Sequence, residues 1–472
     1  MAKPLIRLMR THAGWYFYDV NRNELKEVER ETWEGLRRML AGREAGEAAR
    51  REIGGLRADG YLSDNRVKEW KHPSTDILPY LLRHKVRKIT LQLTQNCNFR
   101  CSYCIYSDLN NGGQRTHAQK IMSWETAKKG VDFLLEHSRD AESVDLGFYG
   151  GEPLLEFGLL KELVLYAEKV FEGRGITFNI TTNGTLLTDE VVDFFVEHDI
   201  HLMVSVDGGR EAHDLNRRFA ANGRGSFDVI MKNLGRIREK YPEYMKSVSL
   251  SMVIDPQFAL DCSNRVFVDY DFLAQTNVHS AVVDDSYSLR KTVYTWEYIE
   301  QNNYEKFLAY LSVFGLIEKE RVSPIAREEV PRILREYDSL GDRRHLPEAS
   351  SHSGPCIPGQ MRLLMDVNGH FYPCERVSEL SPCMNIGHID RGFDIDKADT
   401  LLNVCRLTPE ECRECWALSF CSLCCRSADG GSALSREVKL RACENMREQA
   451  AYHLRLMLML KEMRERWHRD IR

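Results

Sequence analysis

Runs of alternating apolar and polar residues recur from Lys88 onward, each followed by a loop and then by residues of helical spacing. The segments "KITLQLT", "SVDLGFY", "GITFNITTNG", "DIHLMVSVDGG", "VSLSMVID" and "NVHSAVV" read as six strands, since short β-branched runs with a period of two fit a pleated ribbon. Helical stretches stand between them. "SWETAKKGVDFLLEHS" is one, with Ser123 placed as the N-cap that accepts a hydrogen bond from the first turn. Strand, loop and helix repeated in this way predict an α/β fold on a parallel sheet, either doubly wound or part of a barrel.

The chain reads differently on either side of this repeat. In residues 1–75, "GWYFYDV" alternates as a strand and "ERETWEGLRRMLAG" is a helix closed by a glycine. "GEAARREIGGLRADGYLS" then gives a helix, a turn and a strand, an order that fits a small winged-helix-like module. Residues 285–350 are charged and helical in pattern, and residues 444–472 read as a basic terminal helix.

In a parallel sheet the ligand lies at the carboxyl ends of the strands. The residues unusual in this sequence gather there. Cys97 to Cys104, Gly150–Gly151–Glu152, Asn183–Gly184 and Asp207–Gly208 each follow a predicted strand. Four such exits point to one shared pocket.

Composition narrows the class. The chain has 472 residues, 43% of them hydrophobic and 29% charged, with a net charge of −5. That length predicts two to four domains. The slight acidity offers no argument for nucleic-acid binding. "MAKPLIRLMR" is too charged for a signal peptide, and "FLAYLSVFGLI" from Phe307 is too short to span a membrane, so a cytoplasmic protein is expected. Of the 14 cysteines, three lie between Cys97 and Cys104, Cys262 stands alone as a small buried hydrophobe, and ten fall between Cys356 and Cys443. In a reducing compartment such crowding signals metal or redox chemistry rather than disulfides.

"NCNFRCSYCIY" spaces its thiols as Cys97-x₃-Cys101-x₂-Cys104, with no fourth nearby. A structural zinc site wants four ligands, whereas three thiolates on a four-iron cluster leave one iron open. This motif after the first strand resembles the radical S-adenosylmethionine (SAM) family, and the resemblance runs from about Lys88 to Val283. It implies a partial (β/α)6 barrel in which Cys97, Cys101 and Cys104 hold a [4Fe–4S] cluster whose open iron is closed by SAM. It further implies that "GGEP", Gly150, Gly151, Glu152 and Pro153, holds the methionine amino group and that Tyr103 approaches the adenine. Asn183 and Ser205 would line the ribose and methionine portions, and Arg217 would pair with the SAM carboxylate.

The C-terminal cysteines form a second pattern: Cys356 and Cys374, then Cys412-x₂-Cys415-x₅-Cys421-x₃-Cys425, and Cys443. Seven regularly placed thiols are too many for one zinc and an odd number for two. The pattern resembles the SPASM domain of peptide-modifying radical SAM enzymes, which implies two auxiliary [4Fe–4S] clusters and three clusters in all. By that family's ligand order, Cys412, Cys415, Cys421 and Cys443 close one cluster, while Cys356, Cys374 and Cys425 hold the other. The interval after Cys356 contains Arg362 where fully ligated relatives have a further cysteine. The second auxiliary cluster is therefore expected to have an open iron suited to a substrate thiolate, with Cys383, Cys405 or Cys424 as alternative fourth ligands.

The whole layout is similar to thioether-forming maturases, most nearly the six-cysteine and ranthipeptide group. That resemblance implies a Cys-rich precursor peptide whose leader binds the N-terminal module by strand addition, and an electron donor such as flavodoxin or ferredoxin. No nucleic-acid or membrane partner is expected. Sulfur-to-Cα (sactipeptide) synthesis, carbon–carbon cross-linking and sulfatase-type maturation share almost all the motifs and remain alternatives, as does a metal-stabilised peptide-binding scaffold without catalysis. The expected domains are a recognition module (1–75), the barrel (76–310), a helical bridge (311–350), a SPASM domain (351–450) and a terminal helix (451–472).

Overall fold

The computed structural model describes residues 3–107, 114–289, 291–327, 329–341 and 346–467. The chain divides into two compact units. One comprises Met1–Asp76, Pro331–Cys356 and Asp399–Arg472, and the other comprises Ile77–Val330 and Ile357–Ala398.

The first unit opens with three antiparallel strands, β1 (Ile6–Arg10), β2 (Trp15–Asp19) and β3 (Glu24–Val28), in the order β1-β2-β3. Successive strand residues point to opposite faces, and β2 buries both of its faces. Phe17 goes to one side, among Leu36, Ile53 and Leu56 of helices Arg30–Leu40 and Glu47–Ala58. Tyr16 and Tyr18 go to the other, where they meet Trp70, Cys405, Cys412 and Leu454. The strand expected at the end of "GLRADGYLS" does not form. Leu62 adopts φ +61 and donates its N–H to the buried Asp19 carboxylate at 2.9 Å, a left-handed conformation that interrupts extended backbone. The next strand is the two-residue β4 (Glu69–Trp70).

The second unit carries the six expected parallel strands: β5 (Lys88–Thr94), β6 (Asp145–Gly150), β7 (Thr177–Thr182), β8 (Ile200–Ser205), β9 (Ser249–Ile254) and β10 (Asn277–Val282). They lie side by side in chain order. A doubly wound sheet would reverse its order at a switch point. Consecutive order is that of a progressively wound, barrel-type sheet. Ser123 caps helix Trp124–His137 by accepting from the Thr126 N–H at 3.1 Å. Phe178, Ile180, Leu202, Val204, Leu250 and Met252 are buried on one face of the sheet. Asn179, Thr181, His201, Met203, Ser249 and Ser251 alternate with them and are less buried. A sheet covered equally on both sides would read as continuous apolar runs, so the alternation marks one face as polar and partly open.

The strand β11 (Ala349–Ser350) returns to the first unit and pairs in parallel with β4. The second unit's sheet then grows beyond β5. Strand β12 (Leu364–Met365) pairs in parallel with β5, and β13 (His370–Tyr372), β14 (Gly387–His388) and β15 (Gly392–Phe393) follow antiparallel, giving a mixed sheet of ten strands. The expected SPASM segment, 351–450, is thus divided between the units. The terminal helix begins at Arg436, ahead of the expected 444, and runs to Trp467. The last residues of the expected terminal helix, 468–472, lie outside the described residues. Among the described residues no helix is long and apolar enough to cross a membrane.

Leu36 is fully buried between β2 and helix Glu47–Ala58. Leu36→Ala should cost about 2–5 kcal/mol, seen as a lower denaturant midpoint for the first unit in urea titration followed by near-ultraviolet circular dichroism.

Candidate active site

The end of β5 runs into a loop that carries Cys97, Cys101 and Cys104, and backbone hydrogen bonds fix its path. Arg100 N donates to Arg218 O at 2.9 Å and Ser102 N to Asn216 O at 3.1 Å, while the rings of Phe99 and Phe219 meet edge to face at 5.2 Å. Phe99 N points at Cys97 Sγ from 3.3 Å. Burial pushes the Cys97 thiol up to about 12 and moves Cys101 and Cys104 upward as well. The neighbouring thiols add to the rise at Cys97 and Cys101, whereas Arg217 opposes it at Cys101 and Cys104. Thiols so placed stay neutral unless a cation takes their protons' place.

The exit of β6 closes against this loop. Gly150 has φ +141, and a Cβ there would lie 2.2 Å from Thr94 O. A Cβ on Gly151 would lie 2.0 Å from Asn96 O, so only glycine lets the two strand ends touch. Gly151 N and Glu152 N donate to Thr94 O and Asn96 O, each at 2.9 Å. Pro153 starts a short 3₁₀ turn, Pro153–Glu156, as the first helical residue, where its missing N–H costs nothing. The wholly buried Glu152 carboxylate accepts from Leu154 N (3.1 Å), Thr182 Oγ1 (2.7 Å) and Asn183 N (2.8 Å). Burial raises its pKa against the pull of those donors. Glu152 thus staples the exits of β6 and β7 together. Asn183 is likewise occupied: its Nδ2 donates to Asn98 Oδ1 at 2.7 Å and its Oδ1 accepts from Thr185.

At the exit of β8 the buried Asp207 gathers three partners. Its Oδ2 accepts from Arg217 Nε at 2.9 Å and from the Tyr103 hydroxyl, and its Oδ1 accepts from Val253 N at 3.0 Å. Arg217 is fixed at one nitrogen, and its two terminal nitrogens make no hydrogen bond among the described residues. The buried Ser205, last residue of β8, has a hydroxyl with no protein partner among the described residues. A cation bound at one side and open at the other, close to the Cys101 and Cys104 thiols, suits a ligand bearing a carboxylate.

This donor set fits a four-iron cluster with SAM. Among the described residues no group of three His, Cys, Asp or Glu side chains is spaced to hold one metal ion. A four-iron cluster takes one thiolate at each iron corner and spreads its ligands wider than a single zinc does.

In the first unit Cys412, Cys415, Cys421 and Cys443 come together, and Ala417, Leu423 and Met446 pack beside the last three. Burial pushes Cys421 up to about 12 and raises Cys415 and Cys443, with Cys412 adding to each. Thr408 Oγ1 lies 3.3 Å from Cys412 Sγ. Cys356, exposed, and Cys425, buried, belong to this unit, and Cys374 belongs to the other.

Two features escape a reading of motifs. Asp207 was expected at the pocket only as a strand-exit residue with no role of its own, yet it orients both Arg217 and Tyr103. Near Cys104 a nearly buried pair, Arg115 Nε to Glu379 Oε2 at 2.7 Å, is joined by Tyr106 and Gln92 on Glu379 Oε1. Its partners lie far apart in sequence, and no local pattern announces it.

Residues 91–258 match the family model described as the radical SAM superfamily. A cysteine-type anaerobic sulfatase-maturating enzyme of Clostridium novyi is 31% identical over 156 residues, 32% of this chain and 40% of that protein. Another of that name, from Clostridium perfringens, is 25% identical over 349 residues, 71% of this chain and 86% of that protein. The chain spans 40 to 46% of the length of the first curated relatives it matches. The solved structure "Native anSMEcpe with bound AdoMet and Cp18Cys peptide" superposes with a TM-score of 0.57 at 20% identity, covering 79% of this chain and 99% of that one. At that identity the likeness is one of fold, the α/β fold with a mixed sheet.

Removing Asp207 leaves the buried Arg217 charge without its anion. Asp207→Ala should therefore destabilise the second unit by about 3–5 kcal/mol, measured as the shift of its urea midpoint without any cofactor present.

Proposed function

We propose that this chain, whose residues 91–258 belong to the radical SAM superfamily, is a peptide-modifying enzyme that joins a cysteine sulfur to carbon in a ribosomally made peptide. The observation that carries the enzyme reading is the set of three thiols, Cys97, Cys101 and Cys104, beside an arginine that Asp207 holds by one nitrogen only. When bound, the cluster and SAM together supply the electron and the carbon radical that removes a hydrogen atom from the peptide.

The chain's own residues do the positioning. The three thiolates hold the iron. Arg217, with its two terminal nitrogens unused, would hold the SAM carboxylate, and Ser205 would offer a hydroxyl to the same ligand. Tyr103, tethered to Asp207, keeps its ring beside the arginine, whose guanidinium carbon is 5.5 Å from the ring centre. Gly150 and Gly151 bring the β6 exit against the cysteine loop, and Glu152 and Asn183 keep that arrangement rigid.

The finer assignments rest on sequence. Cys412, Cys415, Cys421 and Cys443 supply four thiolates to one auxiliary cluster. The set Cys356, Cys374 and Cys425 is one thiolate short unless Cys383, Cys405 or Cys424 completes it. That shortage favours sulfur–carbon bond formation, and the resemblance to the six-cysteine and ranthipeptide group favours a side-chain carbon of an acidic residue or Thr. The outer strands β1 and β3 each pair on one side only, which supports capture of a leader segment by strand addition, and flavodoxin or ferredoxin fits as the electron donor. A second reading has one specific support: the Clostridium perfringens sulfatase-maturating enzyme aligns along 71% of this chain. It would place a single-residue oxidation of a sulfatase-derived peptide here instead.

Anaerobic co-expression with a small Cys-rich peptide, followed by tandem mass spectrometry, tests the reading. A loss of two hydrogens per link, with fragments joined through Cys, is expected. A product that has lost its sulfur would favour sulfatase-type maturation. Cys97→Ala, Cys101→Ala and Cys104→Ala should each abolish 5′-deoxyadenosine release, and release at the unsubstituted rate would refute the enzyme reading.

A further inference from the structure

Lys439 is 1% exposed on helix Arg436–Trp467, and its Nζ has three neighbours: Val404 O at 3.0 Å, Thr408 Oγ1 at 2.7 Å and Cys412 Sγ at 4.0 Å. An ammonium has three N–H donors, so each faces one acceptor. Among the described residues no carboxylate lies within ion-pair distance of it. A buried ammonium without an anion is strongly unfavourable. Its place in the first turn of the helix adds to the cost, because the helix dipole there repels a cation.

The nearest groups able to carry negative charge are thiols. Cys412 touches Nζ, and Cys443 stands four residues further on the same helix face. His352 is equally enclosed, 1% exposed, and neither ring nitrogen has a partner. Burial, then Lys439 and His72, push its pKa down to about 3, so it stays neutral and adds no second positive charge beside Lys439. The neighbouring residue, Ser353, donates to Ser419 O at 2.7 Å and Cys421 O at 3.2 Å, which seats this segment against the cysteine loop.

We propose that Lys439 is the built-in counter-cation of a cluster held by Cys412, Cys415, Cys421 and Cys443, raising that cluster's reduction potential through a fixed positive charge. The proposal rests on the reading of those four cysteines as an auxiliary [4Fe–4S] site. A cluster with four thiolates is anionic and becomes more so on gaining an electron. A cation enclosed beside one ligand therefore favours the reduced form, as hydrogen bonds and charge near cluster sulfurs do in general. Lys439 is a positioning residue that acts through the thiolates and touches no substrate.

The test uses the full chain, reconstituted anaerobically, as wild type, Lys439→Met, Lys439→Arg and Cys412→Ala. Iron and sulfide are counted, and midpoint potentials are followed by electron paramagnetic resonance during redox titration. Lys439→Met should retain its iron and move one auxiliary signal to a more negative potential, leave the SAM-responsive signal in place, and be rescued by Lys439→Arg. Loss of one cluster's iron in the Met variant with retention in the Arg variant also supports the charge requirement. Full iron with unshifted potentials in Lys439→Met overturns the counter-cation alone. Equal loss of iron in both lysine variants reduces Lys439 to packing and overturns it too. Unchanged iron and spectra in Cys412→Ala would remove the four-cysteine reading itself, and the proposal with it.

Discussion

The grip of Asp207 on Arg217 and Tyr103 is the interaction on which the candidate site depends. A guanidinium enclosed at a strand exit would be unstable alone. The Asp207 carboxylate neutralises it, takes the tyrosine hydroxyl on the same oxygen and accepts a backbone N–H from β9 on the other. Three strand exits are thereby referred to one carboxylate. Since only Nε is used, the arginine is oriented without being satisfied, which is the state a ligand-binding cation needs.

Much of the second unit was legible in the sequence because its strands are short, β-branched and separated by helices of clear period. The boundaries at Lys88–Thr94 and the cap at Ser123 came from local rules alone. The same rules failed where local pattern is absent. Strands β12 to β15 have two or three residues each, too few for any alternation to show, so the extension of the sheet beyond β5 was invisible. Leu62 belongs to an apolar run that reads as a strand, but a tertiary hydrogen bond to Asp19 selects a left-handed backbone instead.

The site was legible as positions more than as roles. Glycines 150 and 151 occur where expected, and their reason is close contact with Thr94 and Asn96. Glu152 and Asn183 were expected to face the ligand. In the structure Glu152 ties the β6 exit to the β7 exit, and the Asn183 side chain joins the β7 exit to Asn98 of the cysteine loop, a rigidity that the motifs did not announce. Lys439 lies ahead of the expected terminal helix and no motif marks it, because burial cannot be read from a lone lysine in a charged stretch.

The extension of the sheet has a consequence for association between copies of the chain. β5, whose Ile89, Leu91 and Leu93 are fully buried, is flanked by β6 on one side and, at Thr90 and Leu91, by β12 on the other. The strand that launches the cysteine loop is thus withheld from pairing with another molecule. One border of the sheet is β10, where Asn277, His279 and Ser280 are exposed. Their polarity makes that border a poor template for intermolecular strand growth, and the other border, β15, is only two residues long, so the protein guards its two sheet margins by different means, one by chemistry and the other by shortness.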